Sequence, residues 1–246
     1  MRKFIFILLL LTLSACAPAA NTPDVAGKLR VLAVESFLAD ITRQVAGERA
    51  SVESLIPDGM DPHAFIPASS DVARIADAQV LVVNGAGLEG WLEETLDNAG
   101  GQRWLIEASA GLESRVSQAG EHPEGADEHG HEGASDPQGG ASDPQGGASD
   151  PHFWLDPVLV IRYVQNIRDG LIQADPDGAE EYTRNAAAYI AQLEELDVWI
   201  AQQVAQIPPE KRLIVTNHES FGYYADRYGF RVVGAIIPSV SSGAAP

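Results

Sequence analysis

From residue 28 onward, short apolar runs of strand length alternate with segments of helical periodicity, and this alternation narrows the fold more than any other feature of the chain. Leu29–Glu35, Ser51–Ile56, Gln79–Asn84 and Arg103–Ala108 read as strands. Between them lie a helical pattern over Phe37–Ala46 that Gly47 can end, a second from Ser70 to Ala78, and a third from Leu88 to Asn98 after the Gly85–Gly87 turn. Gln79–Asn84 is almost continuously apolar, as expected of a parallel strand buried on both faces. Strand–helix alternation of this kind predicts an α/β lobe with a parallel sheet and helices packed over it. Asp156-Pro157 places an N-cap residue and a first-turn proline at the head of a helix that extends to about Ala174. A longer helix is predicted over 178–207, where Tyr182, Ala186, Tyr189, Leu193, Leu196, Ile200, Val204 and Ile207 recur at steps of three and four. At ~1.5 Å per residue it would span roughly 45 Å, more than one small lobe needs, and it reads as a strut between two lobes. After Pro208-Pro209 a second α/β unit begins, with strands at Arg212–Thr216 and Phe230–Ile237 around a helix at Glu219–Tyr228.

The bulk composition sets outer limits. With 246 residues and 45% hydrophobic content the chain can bury two modest cores. A net charge of −19 excludes nucleic acid as a natural partner, since that needs a positive surface; the acidity suits attraction of cations as well as simple solubility. At the N-terminus, Arg2 and Lys3 precede an apolar run, Phe4–Leu11, that is about half the ~20 residues a spanning helix requires. Residues 1–15 therefore read as a signal peptide. Leu13-Ser14-Ala15-Cys16 resembles the lipobox of bacterial lipoproteins, which implies acylation of Cys16, the only cysteine, and a lipidated tether over 16–27. The expected organisation continues with an N-terminal lobe over 28–175, the linking helix over 178–207, and a partial C-terminal lobe over 210–246. Within the first lobe, residues 116–151 are low in bulky apolar side chains, and Ala-Ser-Asp-Pro-Gln-Gly-Gly occurs at both 134–140 and 141–147. That composition predicts an unstructured loop. His122, His129 and His131 sit in it among acidic residues, as candidates for weak accessory metal binding.

The other three histidines fall at the edges of predicted elements. His63 follows Asp61-Pro62 after the second strand, His152 follows Asp150-Pro151, and His218 lies at the C-terminal end of a strand. Ligand sites in α/β folds gather at the carboxyl ends of parallel strands, and imidazole nitrogen suits zinc, copper, nickel and iron. Separations of 89 and 66 residues follow no local ligand rule, so on chemistry alone a shared metal site competes with three unrelated polar loop residues. Three histidines and a water would also make an open catalytic zinc site, but no His-Glu-x-x-His or Gly-x-Ser-x-Gly motif accompanies them.

Five segments resemble signatures of one family: Asp58-Gly-Met-Asp-Pro-His63, Asn84-Gly-Ala-Gly-Leu-Glu-Gly-Trp91, Asp150-Pro-His-Phe-Trp-Leu-Asp-Pro157, Thr216-Asn-His-Glu-Ser-Phe-Gly-Tyr-Tyr-Ala-Asp-Arg-Tyr-Gly229 and Ile237-Pro-Ser-Val-Ser-Ser-Gly243. They are similar to those of the zinc- and manganese-type solute-binding lipoproteins of bacterial ABC importers. The resemblance implies two α/β lobes joined by one long helix, with a metal ion in the cleft between them. His63 and His152 would come from the first lobe and His218 from the second. Manganese-type members resemble this chain with Glu at the position of His218, which makes Zn²⁺ the expected metal and Mn²⁺ the second choice. The implied partners are an ABC permease and its ATPase, at the extracytoplasmic face of a membrane reached through the lipid anchor. A zinc-dependent hydrolase and a metal-binding surface adhesin are the alternative readings. Family members usually continue for several tens of residues and add an Asp or Glu ligand, so a shortened second lobe is expected to leave His218 the least constrained ligand. Each ligand must be a neutral imidazole, so binding is expected to fall as pH drops through about 6.5.

Overall fold

The computed structural model describes residues 27–115 and 149–236. The expected signal peptide and tether with Cys16, the loop with His122, His129 and His131, and the stretch from residue 237 lie outside the described residues. In chain order the elements are β1 (Leu29–Ala33), α1 (Ser36–Ala46), β2 (Ala50–Ser54), α2 (Ser69–Asp77), β3 (Val80–Val83), α3 (Leu92–Ala99), β4 (Trp104–Glu107), α4 (Pro157–Ala174), α5 (Ala179–Val204), β5 (Leu213–Thr216), α6 (Gly222–Tyr228) and β6 (Arg231–Ala235).

The first sheet has the order β2-β1-β3-β4 with every pair parallel. Side chains on a strand alternate between faces, and both faces of this sheet are covered. Val31, Ala33, Val80, Val82 and Ile106 join α1, α4 and α5 in one core. Leu32, Val34, Leu81 and Val83 join Leu55 and Ile75 in the other. This two-sided burial is the reason that β3 reads as an unbroken apolar run. The chain passes from β1 to β2 on one side and then returns to β3 on the other, so the carboxyl ends of β1 and β3 border the crevice where such sheets accept ligands.

Two helix starts differ from expectation. The first turn of α2 begins at Ser69, with the N-cap at Ala68, whose N–H donates to the Asp71 carboxylate at 2.9 Å; Ser70 lies inside the turn. α3 begins at Leu92 rather than Leu88, because Gly85, Ala86 and Gly87 all take positive φ (84°, 54° and 82°) and Glu89 turns back toward the strand end. By contrast, Asp156 caps α4 as its sequence implies, accepting the Val158 N–H at 2.8 Å.

As far as Leu193 α5 belongs to the first lobe: Tyr182, Ala186 and Leu193 are buried against α1 and α4. Its 26 residues span ~39 Å, and the far end carries exposed Leu196, Val198 and Trp199 out toward the second unit. There β5 and β6 form a parallel pair with α6 between them in sequence. No helix among the described residues is long and apolar enough to cross a membrane.

Candidate metal centre

Two of the three histidines that the structure describes are held by local devices, and the third by its place at a strand end. His63 lies in a single 3₁₀ turn, Pro62–Ala64, opened by Asp61, whose carboxylate accepts the His63 N–H at 2.9 Å. Pro62 fixes one torsion of that turn. His152 follows a similar Asp-Pro step, and Asp150 Oδ1 accepts both the His152 main-chain N–H at 3.1 Å and the ring Nδ1–H at 2.7 Å. The carbonyl of Pro151 accepts the Asn84 amide at 3.1 Å, tying this loop to the end of β3. Trp154 tilts against the His152 ring at 5.1 Å between centroids and stacks on Phe37 at 4.3 Å, which restricts the imidazole further. His218 stands just past the carboxyl end of β5.

The structure brings these three rings to one point. His152 Nε2 lies 3.1 Å from His63 Nε2 and 3.2 Å from His218 Nε2, and one ligand atom from each of the three lies within 4.8 Å of the others. Two nitrogens at about 2.05 Å from one tetrahedral ion would stand about 3.3 Å apart, so the spacing matches a shared cation. Asp150 holds the proton of His152 on Nδ1, which leaves the Nε2 lone pair aimed at the centre. Several lone pairs converging in a half-buried space repel one another, and a cation relieves that repulsion. Among the described residues the group consists of the three imidazoles, with no carboxylate among them.

Electrostatics favour the neutral rings a metal requires. Burial, aided by the neighbouring His152, lowers the His63 pKa to about 4. His218 is lowered by the same two causes, burial first. The proton competition expected near pH 6.5 for free imidazole is thereby moved down for both residues.

The helix after His218 is tied down from two sides. Arg227 on α6 makes two 2.6 Å contacts with Asp197 on α5 and reaches Asp156 at the head of α4 at 3.3 Å. Tyr228 Oη donates to Asp197 at 2.8 Å. The helix that follows His218 is thus fixed both to the strut and to the first lobe.

Beneath the site lies an acid pair that sequence inspection did not single out. Glu35, 2% exposed at the end of β1, faces Glu89, which accepts the main-chain N–H groups of Asn84 and Gly85. Tyr163 donates to Asn84 Oδ1, completing the floor. The signal was an acidic residue directly continuing an apolar buried strand. Burial raises the Glu35 carboxyl well above its ordinary 4.5, and the Glu89 charge raises it further. A folded pKa above the unfolded one means that the contribution of this carboxyl to stability is greatest below about 4.5 and is lost as pH rises through the folded value. Glu35→Gln, which keeps a donor for Glu89, is expected to raise the melting temperature by a few degrees at pH 8, about 2–4 °C per kcal/mol, and little at pH 4.5. Thermal melts followed by circular dichroism at the two pH values test this, and an equal shift at both would refute it.

Comparison with known proteins assigns the family. Residues 31–246 match the family described as zinc-uptake complex component A periplasmic (ZnuA). The manganese-binding lipoprotein MntA of Halalkalibacterium halodurans is 34% identical over 233 residues, 94% of this chain and 69% of MntA. The zinc-binding lipoprotein AdcA of Streptococcus pneumoniae is 33% identical over 241 residues, 96% of this chain and 45% of AdcA. In three dimensions the zinc-bound crystal structure of AdcA superposes with a TM-score of 0.67 at 31% identity, covering 85% of this chain and 39% of AdcA. The metal-dependent lipoprotein YcdH of Bacillus subtilis gives a TM-score of 0.67 at 28% identity over 85% of this chain and 66% of YcdH. This chain therefore spans about two-fifths to two-thirds of the length of these relatives. The relatives are binding proteins and not enzymes, which sets the hydrolase reading aside. This chain belongs to the zinc-uptake complex component A family.

Proposed function

We propose that this protein captures Zn²⁺ outside the cytoplasmic membrane through His63, His152 and His218 and passes it to an ABC permease driven by its ATPase. The observation that carries the reading is the convergence of three Nε2 atoms at 3.1 and 3.2 Å around His152. Three neutral nitrogen donors favour zinc over manganese, which prefers oxygen ligands. The relatives named for zinc and for manganese are about equally similar, at 33% and 34% identity, so it is the donor set that supports zinc here. The remaining coordination position falls to water or to a carboxylate. His122, His129 and His131, set among acidic residues, are assigned weaker accessory binding, and Cys16 the lipid anchor that keeps the protein beside its permease. The lipoprotein relatives support that anchor.

Competitive titration of the protein with zinc and manganese tests the metal assignment. Zinc is expected to win, and His218→Glu is expected to narrow its advantage by about an order of magnitude by exchanging nitrogen for oxygen. Manganese displacing zinc from the unaltered protein would overturn the assignment while leaving the family intact.

A further inference from the structure

We infer that Arg115 is a positioning residue for the metal centre: it ties α6 of the second unit to the carboxylate that orients His152. The inference rests on the proposed role of the three histidines and extends it to a residue that touches none of them. Asp150 is buried, and its Oδ1 is fully engaged by the two donors of His152. Its other oxygen, Oδ2, faces Arg115 Nη1 at 3.7 Å. The same guanidinium reaches across to α6, where Nε lies 2.8 Å from Asp226 Oδ2 and Nη2 lies 3.4 Å from Asp226 Oδ1. One planar cation therefore stands between the acid behind His152 and an acid on the helix that follows His218. Planar, multi-donor guanidinium suits such a bridge better than a point charge.

The main chain reinforces the link. Arg115 N–H donates to Tyr223 Oη at 2.9 Å, and Tyr223 Oη donates to the Asp150 carbonyl at 2.7 Å. The Asp150 N–H donates to the Arg115 carbonyl at 3.0 Å. The Arg115 guanidinium also lies 5.6 Å from the centre of the Tyr223 ring. Gly222 completes the passage: a Cβ there would overlap Arg115 Nη1 and fall 3.0 Å from Asp150 Oδ2, so any side chain would drive the guanidinium from its place. Seating of α6 and orientation of the His152 ring are in this way parts of one connected set of contacts. If α6 moves away, Asp150 loses its outer support, and the ligand facing both other imidazoles loses its fixed direction.

Partners that orient a metal-ligating histidine typically contribute 10–100-fold in affinity. Arg115→Met, which keeps the length and removes the charge, is expected to weaken zinc binding by about tenfold or more and to alter the visible spectrum of bound Co²⁺. Arg115→Lys should recover part of the affinity. Gly222→Ala, which displaces the guanidinium without deleting it, should reproduce the loss. Asp226 is exposed, so Asp226→Asn removes the far end of the bridge with little risk to folding and keeps the test intact if Arg115→Met fails to fold. Zinc affinities by chelator competition and Co²⁺ spectra of the full chain and these variants decide the matter. Unchanged affinity and spectrum in Gly222→Ala and Asp226→Asn, with zinc still bound by the unaltered protein, would overturn the role of Arg115 alone. Absence of zinc binding by the unaltered protein would overturn the proposed function itself.

Discussion

Replacing His152 with alanine is expected to lower zinc affinity by about a thousandfold, the largest loss from any single side chain in the site. Apparent zinc binding energies of ~10–16 kcal/mol shared over four ligands leave about 2.5–4 kcal/mol per ligand, or roughly 10²–10³-fold. His152 belongs at the top of that range for two structural reasons. Its Nε2 is the atom that both other imidazoles face, at 3.1 and 3.2 Å. It is also the most enclosed of the three, at 5% exposure, and its removal takes the ring Nδ1–H from the buried Asp150 carboxylate, leaving Oδ1 with only the main-chain N–H of residue 152. His63→Ala and His218→Ala are expected to cost about a hundredfold each, since their neighbours keep a preset pair of ligands. Chelator competition with the three purified variants measures the series. A His218→Ala protein that binds as tightly as the original would eliminate the shared three-histidine site.

The parts of this architecture legible from sequence are those encoded by short-range patterning. The parallel first sheet follows from strands that are apolar on both faces, and Leu32 and Val82 are indeed buried in opposite cores. The start of α4 was legible because Asp156 and Pro157 act within one turn. The late start of α3 was not, since it depends on Glu89 giving its carboxylate to Asn84 and Gly85 instead of to a helical turn. The convergence of His63, His152 and His218 spans 89 and 66 residues, and no periodicity reports a contact of that range. Segment resemblance singled out those histidines, whereas the bridge from Arg115 to Asp226 spans 111 residues and Arg115 lies in none of the five segments. Tertiary contacts between charged side chains leave no local trace in a sequence. The Glu35–Glu89 floor escaped for a related reason: burial alone makes Glu35 unusual, and burial follows from the sheet order.

Acid is expected to release the metal later than free imidazole chemistry dictates. A proton and a metal compete for the same Nε2 lone pair, so a ligand is lost only as pH approaches its own metal-free pKa. For an ordinary histidine at about 6.5, proton competition at pH 5 would weaken binding about 30-fold; for His63, held at about 4 by burial and by His152, it weakens binding by about 10% at the same pH. His218 is shifted in the same direction. Three unshifted imidazoles would give a dependence of about 2.3 protons per metal at pH 6, approaching three by pH 5. With His63 held at about 4 and His218 shifted in the same direction, the slope between pH 6 and pH 5 is expected to stay at or below about two protons, steepening toward pH 4. The same shift acts on the metal-free fold. Below pH 6.5 the unfolded chain takes up a proton that folded His63 refuses, so the stability present above 6.5 is lost progressively as pH falls through 6.5 to about 4. Proton NMR of the metal-free protein should show the His63 ring titrating near pH 4, and zinc affinities at half-unit pH steps should give the shallow slope. A slope clearly above two protons at pH 6, or a His63 midpoint near 6.5, would mean that the His63 ring is open to water and that the enclosure of the metal centre does not persist in solution.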